Sequence, residues 1–154
     1  MKQLLICRHA KSSWKDSSLA DFDRPLNKRG TKNAPRMGKM LVILEIIPDL
    51  IVSSPAKRAK KTALLLAKEI DYPKKRIVYM DAIYGAAPED LITCIHSLDD
   101  RFDRAIMVGH HSGITMLANI LGDLRIPNMP TCGIVALNFD VETWKDVKKK
   151  KGTL

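Results

Sequence analysis

Four side chains in this sequence have the types and settings that chemistry asks for: Arg8 and His9 side by side, Arg58, and His110. A guanidinium is a rigid fork of donors matched to phosphate oxygens. An imidazole next to it can serve as nucleophile, acid, base or metal ligand. A zinc site would set histidines at close spacing with carboxylates or cysteines, and no His-Glu-x-x-His run occurs here. Flanking arginines also repel a cation. The Walker phosphate loop and the dinucleotide glycine fingerprint are absent as well. A phosphoryl group fits better. Two arginines can hold its oxygens, a histidine nitrogen can attack phosphorus, and a second histidine can donate to a third oxygen. Arginine charge also lowers a histidine pKa, which keeps the attacking imidazole neutral. No metal and no cofactor is expected. A cysteine nucleophile is not expected either. The residues six positions after Cys7, Cys94 and Cys132 are Ser13, Asp100 and Asn138, so none opens a Cys-x5-Arg loop.

These residues need elements that bring them together. Leu4-Leu5-Ile6-Cys7 is apolar without alternation, the pattern of a strand buried on both faces, and it runs straight into Arg8-His9. Residues 11–26 read as an irregular loop. Asn27 is a plausible N-cap for a helix carrying Met37, Met40, Leu41 and Leu44, with a late start or kink expected at Pro35. Gly30 and Gly38 on it would permit close packing. A second buried strand covers 49–53. Ser54 as N-cap and Pro55 at the first helical position then open a helix with Ala59, Ala63, Leu66 and Ile70 on its apolar side, which puts Arg58 near a helix N-terminus. A third strand over 76–80 ends at Asp81. A helix from Pro88 carries Leu91, Ile92 and Ile95, with His96 expected at the surface or core rim. A fourth strand over 104–108 ends in Gly109-His110-His111-Ser112-Gly113, before a helix bearing Ile114, Leu117 and Leu121 that Ser112 could cap. Cys132 to Phe139 is a last strand. Strands alternating with helices predict an α/β fold, a three-layer sandwich around a mainly parallel sheet. In such sheets ligands bind beyond the carboxyl ends of the strands, where Arg8-His9, Ser54 with Arg58, and His110 all fall.

The chain has 154 residues, which predicts a single domain over 1–154. No apolar run approaches a membrane span, and three cysteines in apolar surroundings read as reduced, so a cytoplasmic protein is expected. The net charge of +9 invites a nucleic-acid reading, but the excess gathers in Lys57 to Lys61, Lys74 to Arg76 and the lysines of 145–151. The last run reads as a solvated, frayed tail over about 145–154. Aromatic residues are 5%, too few for a stacking platform, so nucleic acid is an unfavoured partner and acidic partners a better one.

The ordered set Arg8-His9-Ala10, Ser53-Ser54-Pro55-x-x-Arg58-Ala59-x-x-Thr62-Ala63 and Val108-Gly109-His110 resembles the motifs of the histidine phosphatase, or phosphoglycerate mutase-like, superfamily. The Arg-His-Ala variant, the segment Asp23-Arg24-Pro25-Leu26-Asn27-x-x-Gly30 and the short chain resemble its small SixA-type phosphohistidine phosphatases. The resemblance implies a phosphohistidine intermediate on His9 and a phosphate pocket made of Arg8, Arg58 and His110. It implies a phosphorylated protein as partner, such as a histidine phosphotransfer domain, or a small phosphorylated metabolite. Larger relatives carry Glu three residues before a Tyr-Gly pair. Asp81 stands there before Tyr84-Gly85, and it is either the proton donor or a strand-end cap. His111 departs from the subgroup, which commonly has Asn at that position. A non-catalytic phosphate- or nucleic-acid-binding module is the alternative to an enzyme.

Overall fold

The computed structural model describes residues 1–154. Its five strands are β1 (Lys2–Arg8), β2 (Leu50–Ser53), β3 (Val78–Tyr79), β4 (Arg104–Gly109) and β5 (Ile134–Phe139), in the sheet order β3-β2-β4-β1-β5. β1, β2, β3 and β4 are mutually parallel, and β5 runs antiparallel along β1. The sheet is therefore α/β and mainly parallel, with helices on both faces, as predicted. Helices α1 (Lys28–Ile43) and α2 (Lys57–Glu69) supply Leu41, Ala59, Ala63 and Leu66 to one core with Leu5, Cys7, Ile51 and Val108. On the other face α3 (Pro88–His96) and α4 (Gly113–Gly122) pack Leu91, Ile95, Ile114, Leu117 and Leu121 against Leu4, Ile6, Val52 and Met107. Alternate residues of β1 and β4 thus enter opposite cores, which is why neither strand alternates with polar residues. No helix is long and apolar enough to cross a membrane.

Several local expectations need correction. Asn27 does cap α1, its side chain accepting from the Gly30 amide at 2.9 Å, and the helix begins at once. Pro35 neither delays nor ends it. One lost backbone bond is offset by the burial of Ala34, Gly38 and Leu41 along the same face. Gly30 matters for contact: a Cβ there would lie 2.2 Å from the Lys11 carbonyl oxygen, so the chain leaving β1 rests directly on the helix backbone. Ser54 does not cap α2. That helix starts at Lys57 after Ala56, and the Ser54 hydroxyl is engaged elsewhere. Ser112 precedes α4 without a side-chain cap bond. The third strand shrinks to Val78–Tyr79 because Pro73 is followed by a 3-10 turn over Lys74–Arg76. β5 starts at Ile134, since Cys132 adopts φ 61° in a turn closed by Gly133 N–H to the Pro130 carbonyl.

The basic C-terminal run is not frayed. Trp144 and Val147 are buried, the Lys150 and Gly152 amides donate to the carbonyls of Ile120 and Leu121, and Thr153 pairs with Asn138. His96 takes its place at the core rim by pairing with the Val147 carbonyl at 2.8 Å.

Candidate active site

Parallel register brings the strand ends level. Arg8 pairs with Gly109 and Ser53 with Val108, and two further bonds carry the ladder past the strands: His9 N–H to Gly109 O and Ser54 N–H to Val108 O, each 3.0 Å. Arg8, His9, Arg58 and His110 consequently line one open cleft of about 510 Å³, together with Lys11, Ser12, Trp14, Asp21, Arg24, Tyr84, Gly85, His111 and Thr131.

His9 is 7% exposed and its backbone is held from three sides. Besides Gly109, the Cys132 amide donates to its carbonyl at 3.0 Å, and the Ala10 amide donates to Thr62 Oγ1 on α2 at 3.0 Å. Its Nδ1 lies 2.7 Å from the Ala10 carbonyl oxygen. A carbonyl can only accept, so Nδ1 carries the proton and Nε2 keeps its lone pair. Burial, aided by the charges of Arg58, Arg8 and Arg24, lowers its pKa to about 4 despite the Ala10 bond. The imidazole is thus neutral at pH 7. Its ring centroid is 5.1 Å from that of His110, whose pKa falls to about 3 through burial first and then the charges of His9 and Arg58.

The arginines are pinned by their outer nitrogens. Arg8 Nη1 donates to the Met129 carbonyl at 2.7 Å and to Asn128 Oδ1 at 3.0 Å. Arg58 Nη1 and Nη2 donate to the Asp21 carbonyl and Oδ2 at 2.6 and 3.0 Å. Three buried side-chain nitrogens have no partner in the protein: Arg8 Nε, Arg58 Nε and His110 Nδ1. All belong to this one cleft. The two arginine Nε–H groups are donors, and buried polar nitrogens without a partner are rare and costly, so the convergence of all three around His9 describes a pocket suited to an anion.

The model of the histidine phosphatase superfamily, branch 1, matches residues 4–81. This chain belongs to that superfamily. Among its relatives, an uncharacterised chloroplastic protein of Arabidopsis thaliana is 30% identical over 94% of this chain and 70% of its own length, and an uncharacterised Mycobacterium tuberculosis protein is 34% identical over 92% and 91%. The crystal structure of a candidate phosphohistidine phosphatase SixA from Agrobacterium tumefaciens superposes with TM-score 0.80 at 28% identity, covering 90% of this chain and 92% of that one. The fold is shared with a mycobacterial glucosyl-3-phosphoglycerate phosphatase, at TM-score 0.70 and 15% identity over 97% and 96% of the chains. The fold is that of the phosphoglycerate mutase-like phosphatases, and the chain is a SixA-like member of the superfamily.

Within this histidine phosphatase, four of the five residues singled out from sequence meet in the cleft. Asp81 does not. It is exposed at the head of a 3-10 turn over Asp81–Ile83, with its carbonyl accepting from the Tyr84 amide at 3.1 Å, and it is not among the cleft residues. The turn delivers Tyr84 to the cleft instead. The cleft's carboxylate is Asp21, which sequence reading passed over. It accepts from the Tyr84 hydroxyl at 2.8 Å, from Arg58, and from Arg24 Nε at 3.1 Å. Those donors, Tyr84 foremost, hold its pKa at about 2. Arg24 was recognised as part of a motif but not as a third cationic wall. It is 7% exposed, donates from Nη1 to Ser12 Oγ at 2.9 Å, and stacks 3.5 Å over the Trp14 ring. Its signal was the segment Asp23-Arg24-Pro25-Leu26, read as a loop end. His111 stands exposed at the cleft edge, its Nδ1 3.0 Å from Thr115 Oγ1.

Proposed function

We propose that this phosphatase works through a covalent phosphohistidine on His9 and acts on phosphohistidine in a protein partner. The observation that carries the covalent step is the fixed tautomer of His9, with Nε2 unprotonated beside the buried, unpaired Nε–H groups of Arg8 and Arg58. In the first step Nε2 attacks phosphorus and the bond from phosphorus to the substrate's leaving nitrogen breaks. The substrate ring, protonated on its other nitrogen, departs as neutral imidazole. In the second step water attacks the phosphoryl group on Nε2, releasing phosphate and restoring His9. Arg8, Arg58 and His110 donate to the phosphoryl oxygens throughout, and Arg24 adds charge that a metal would otherwise bring. The reaction needs no metal.

The protein substrate is favoured by the state of the cleft's only carboxylate. With its pKa at about 2, Asp21 is ionised and cannot protonate a leaving group at neutral pH. An imidazole, whose conjugate acid titrates near ~6.5, leaves without strong assistance, whereas the alkoxide of a sugar phosphate needs a donor. The mouth also suits a protein surface: Trp14 is 73% exposed and Phe22, edge-on to Tyr84, is 39% exposed. A cytoplasmic phosphotransfer domain has the required chemistry. The fold shared with a glucosyl-3-phosphoglycerate phosphatase supports the second reading, a small phosphoester substrate.

Two measurements test this. Rapid quenching with labelled substrate is expected to trap an acid-labile, base-stable phosphoryl group on the peptide containing His9. Absence of label together with substantial turnover by His9→Ala would overturn the covalent route. A substrate panel is expected to rank phosphohistidine protein above sugar phosphates, and the opposite ranking would move the assignment to small phosphoesters.

A further inference from the structure

His110 and Ser54 come from different strand ends and meet at 2.8 Å, between Nε2 and Oγ. The direction of this bond follows from counting protons. Ser54 is fully buried, so its hydroxyl proton has no solvent acceptor. The other group bonded to Oγ is the Ala56 amide at 3.2 Å, which is itself a donor. Oγ accepts from Ala56, and its own proton has one acceptor within reach, His110 Nε2. An Nε2 that accepts leaves the ring proton on Nδ1, and Nδ1 is the buried nitrogen that finds no partner in the protein.

We propose that Ser54 is a positioning residue that locks His110 in its Nδ1–H tautomer, so that His110 presents a hydrogen-bond donor to the phosphoryl group. The backbone makes this lock rigid. Ser54 N–H is bonded to Val108 O at 3.0 Å, two residues before His110, so donor and acceptor ride on adjacent rungs of the β2–β4 ladder. It also explains why Ser54 fails as a helix cap: its acceptor capacity goes to Ala56 and its proton to His110. The opposite tautomer would leave one lone pair and one proton in the wrong settings. Nδ1 would face phosphate oxygens as an acceptor, and the Ser54 hydroxyl would lose its acceptor. The two histidines then have divided roles with one shared tautomer. Each carries its proton on Nδ1, but His9 turns the bare nitrogen to phosphorus and His110 turns the protonated one to oxygen.

The inference rests on the phosphatase reading only for what the donor is used for; the tautomer itself is measured without any activity. Long-range proton–nitrogen NMR correlation on the full chain at pH 7.5 is expected to show a protonated Nδ1 and an unprotonated Nε2 for His110. In Ser54→Ala the population is expected to move toward Nε2–H, the form a free histidine side chain prefers in water. If the donor-competent form falls to about one fifth, orthovanadate affinity falls about fivefold. Because Ser54→Ala also loosens the start of α2, a second pair is measured alongside. His110→Asn keeps an amide donor near the Nδ1 position and is expected to retain vanadate binding better than His110→Gln, which reaches toward Nε2. A wild-type Nε2–H tautomer, an unshifted tautomer in Ser54→Ala, or better binding by His110→Gln would each overturn the proposal. A shifted tautomer in a protein that hydrolyses no phosphate substrate would support the lock and refute the enzymatic reading instead.

Discussion

Because the two cleft histidines resist protonation in the folded state, acid should destabilise this protein, and the size of the effect can be worked out. Their native pKa values are about 4 for His9 and about 3 for His110, against about 6.5 for an unfolded histidine. Between these values the unfolded chain binds more protons than the folded one, so stability rises with pH. The contribution is fully present above pH ~6.5 and is lost as pH falls from there through about 4. At pH 5 both native imidazoles are still neutral, so the loss depends mainly on the unfolded value. Each histidine then costs about 2 kcal/mol relative to pH 7, and the pair about 4 kcal/mol. With a urea slope of about 2 kcal/mol per molar, the midpoint should fall by about 2 M from pH 7 to pH 5. The carboxylates do not produce this. Asp21, held at about 2, loses its contribution only below pH ~4. Urea melts at both pH values, on the wild type and on His9→Asn, make the check. His9→Asn should lose about half of the pH shift. A midpoint that stays within about 0.3 M between pH 7 and pH 5 would refute the burial argument for both rings, and an unchanged shift in His9→Asn would refute it for His9.

Other consequences are narrower. Arg58→Ala removes a charge from the phosphate and the anchor of Asp21, so vanadate binding and turnover should each fall by about 10- to 100-fold, read from inhibition and steady-state kinetics. Asn119 clamps Ile126 through both its amide donor and its carbonyl, at 2.8 Å each, and the same loop goes on to Met129, which holds Arg8. Asn119→Ala should therefore weaken phosphate affinity more than it slows the chemical step, a split visible in KM against kcat. Exhaustive chelation should leave full activity, since Arg8, Arg24 and Arg58 already line the cleft; activity lost to chelator and restored by zinc or magnesium would contradict this.

The sequence displayed what strands do well. Uninterrupted apolar runs marked β1, β2 and β4, and parallel order implied that Arg8-His9, Ser54 and His110 would share an edge. What it hid came from contacts that no period encodes. Asp21 and Arg24 lie in an irregular stretch and acquire their roles only when that stretch folds over Arg58, far along the chain. Ser54-Pro55 looked like a helix start because the local pattern is the same whether the hydroxyl caps an amide or meets a histidine from another strand. Asp81 failed as a cleft residue because the third strand stops early and a 3-10 turn rotates Tyr84 inward in its place. The lysine-rich end looked solvated, yet Trp144 and Val147 within it are core residues whose burial the flanking charges masked.

The position of β1 has a consequence for how the molecule comes apart. This strand is hydrogen-bonded along both edges, to β4 and to β5, and the bonds continue past it through the His9 amide and carbonyl. His9, the nucleophile in the proposed mechanism, therefore sits in a segment whose amide hydrogens are expected to exchange most slowly. Residues 14–20 are exposed and meet the rest of the chain through few backbone bonds, so they open locally at far smaller cost. The exposed mouth of the cleft and the buried His9 are consequently built on parts of the chain with very different opening costs. Exposed residues of the mouth can thus rearrange without breaking the backbone bonds that hold His9.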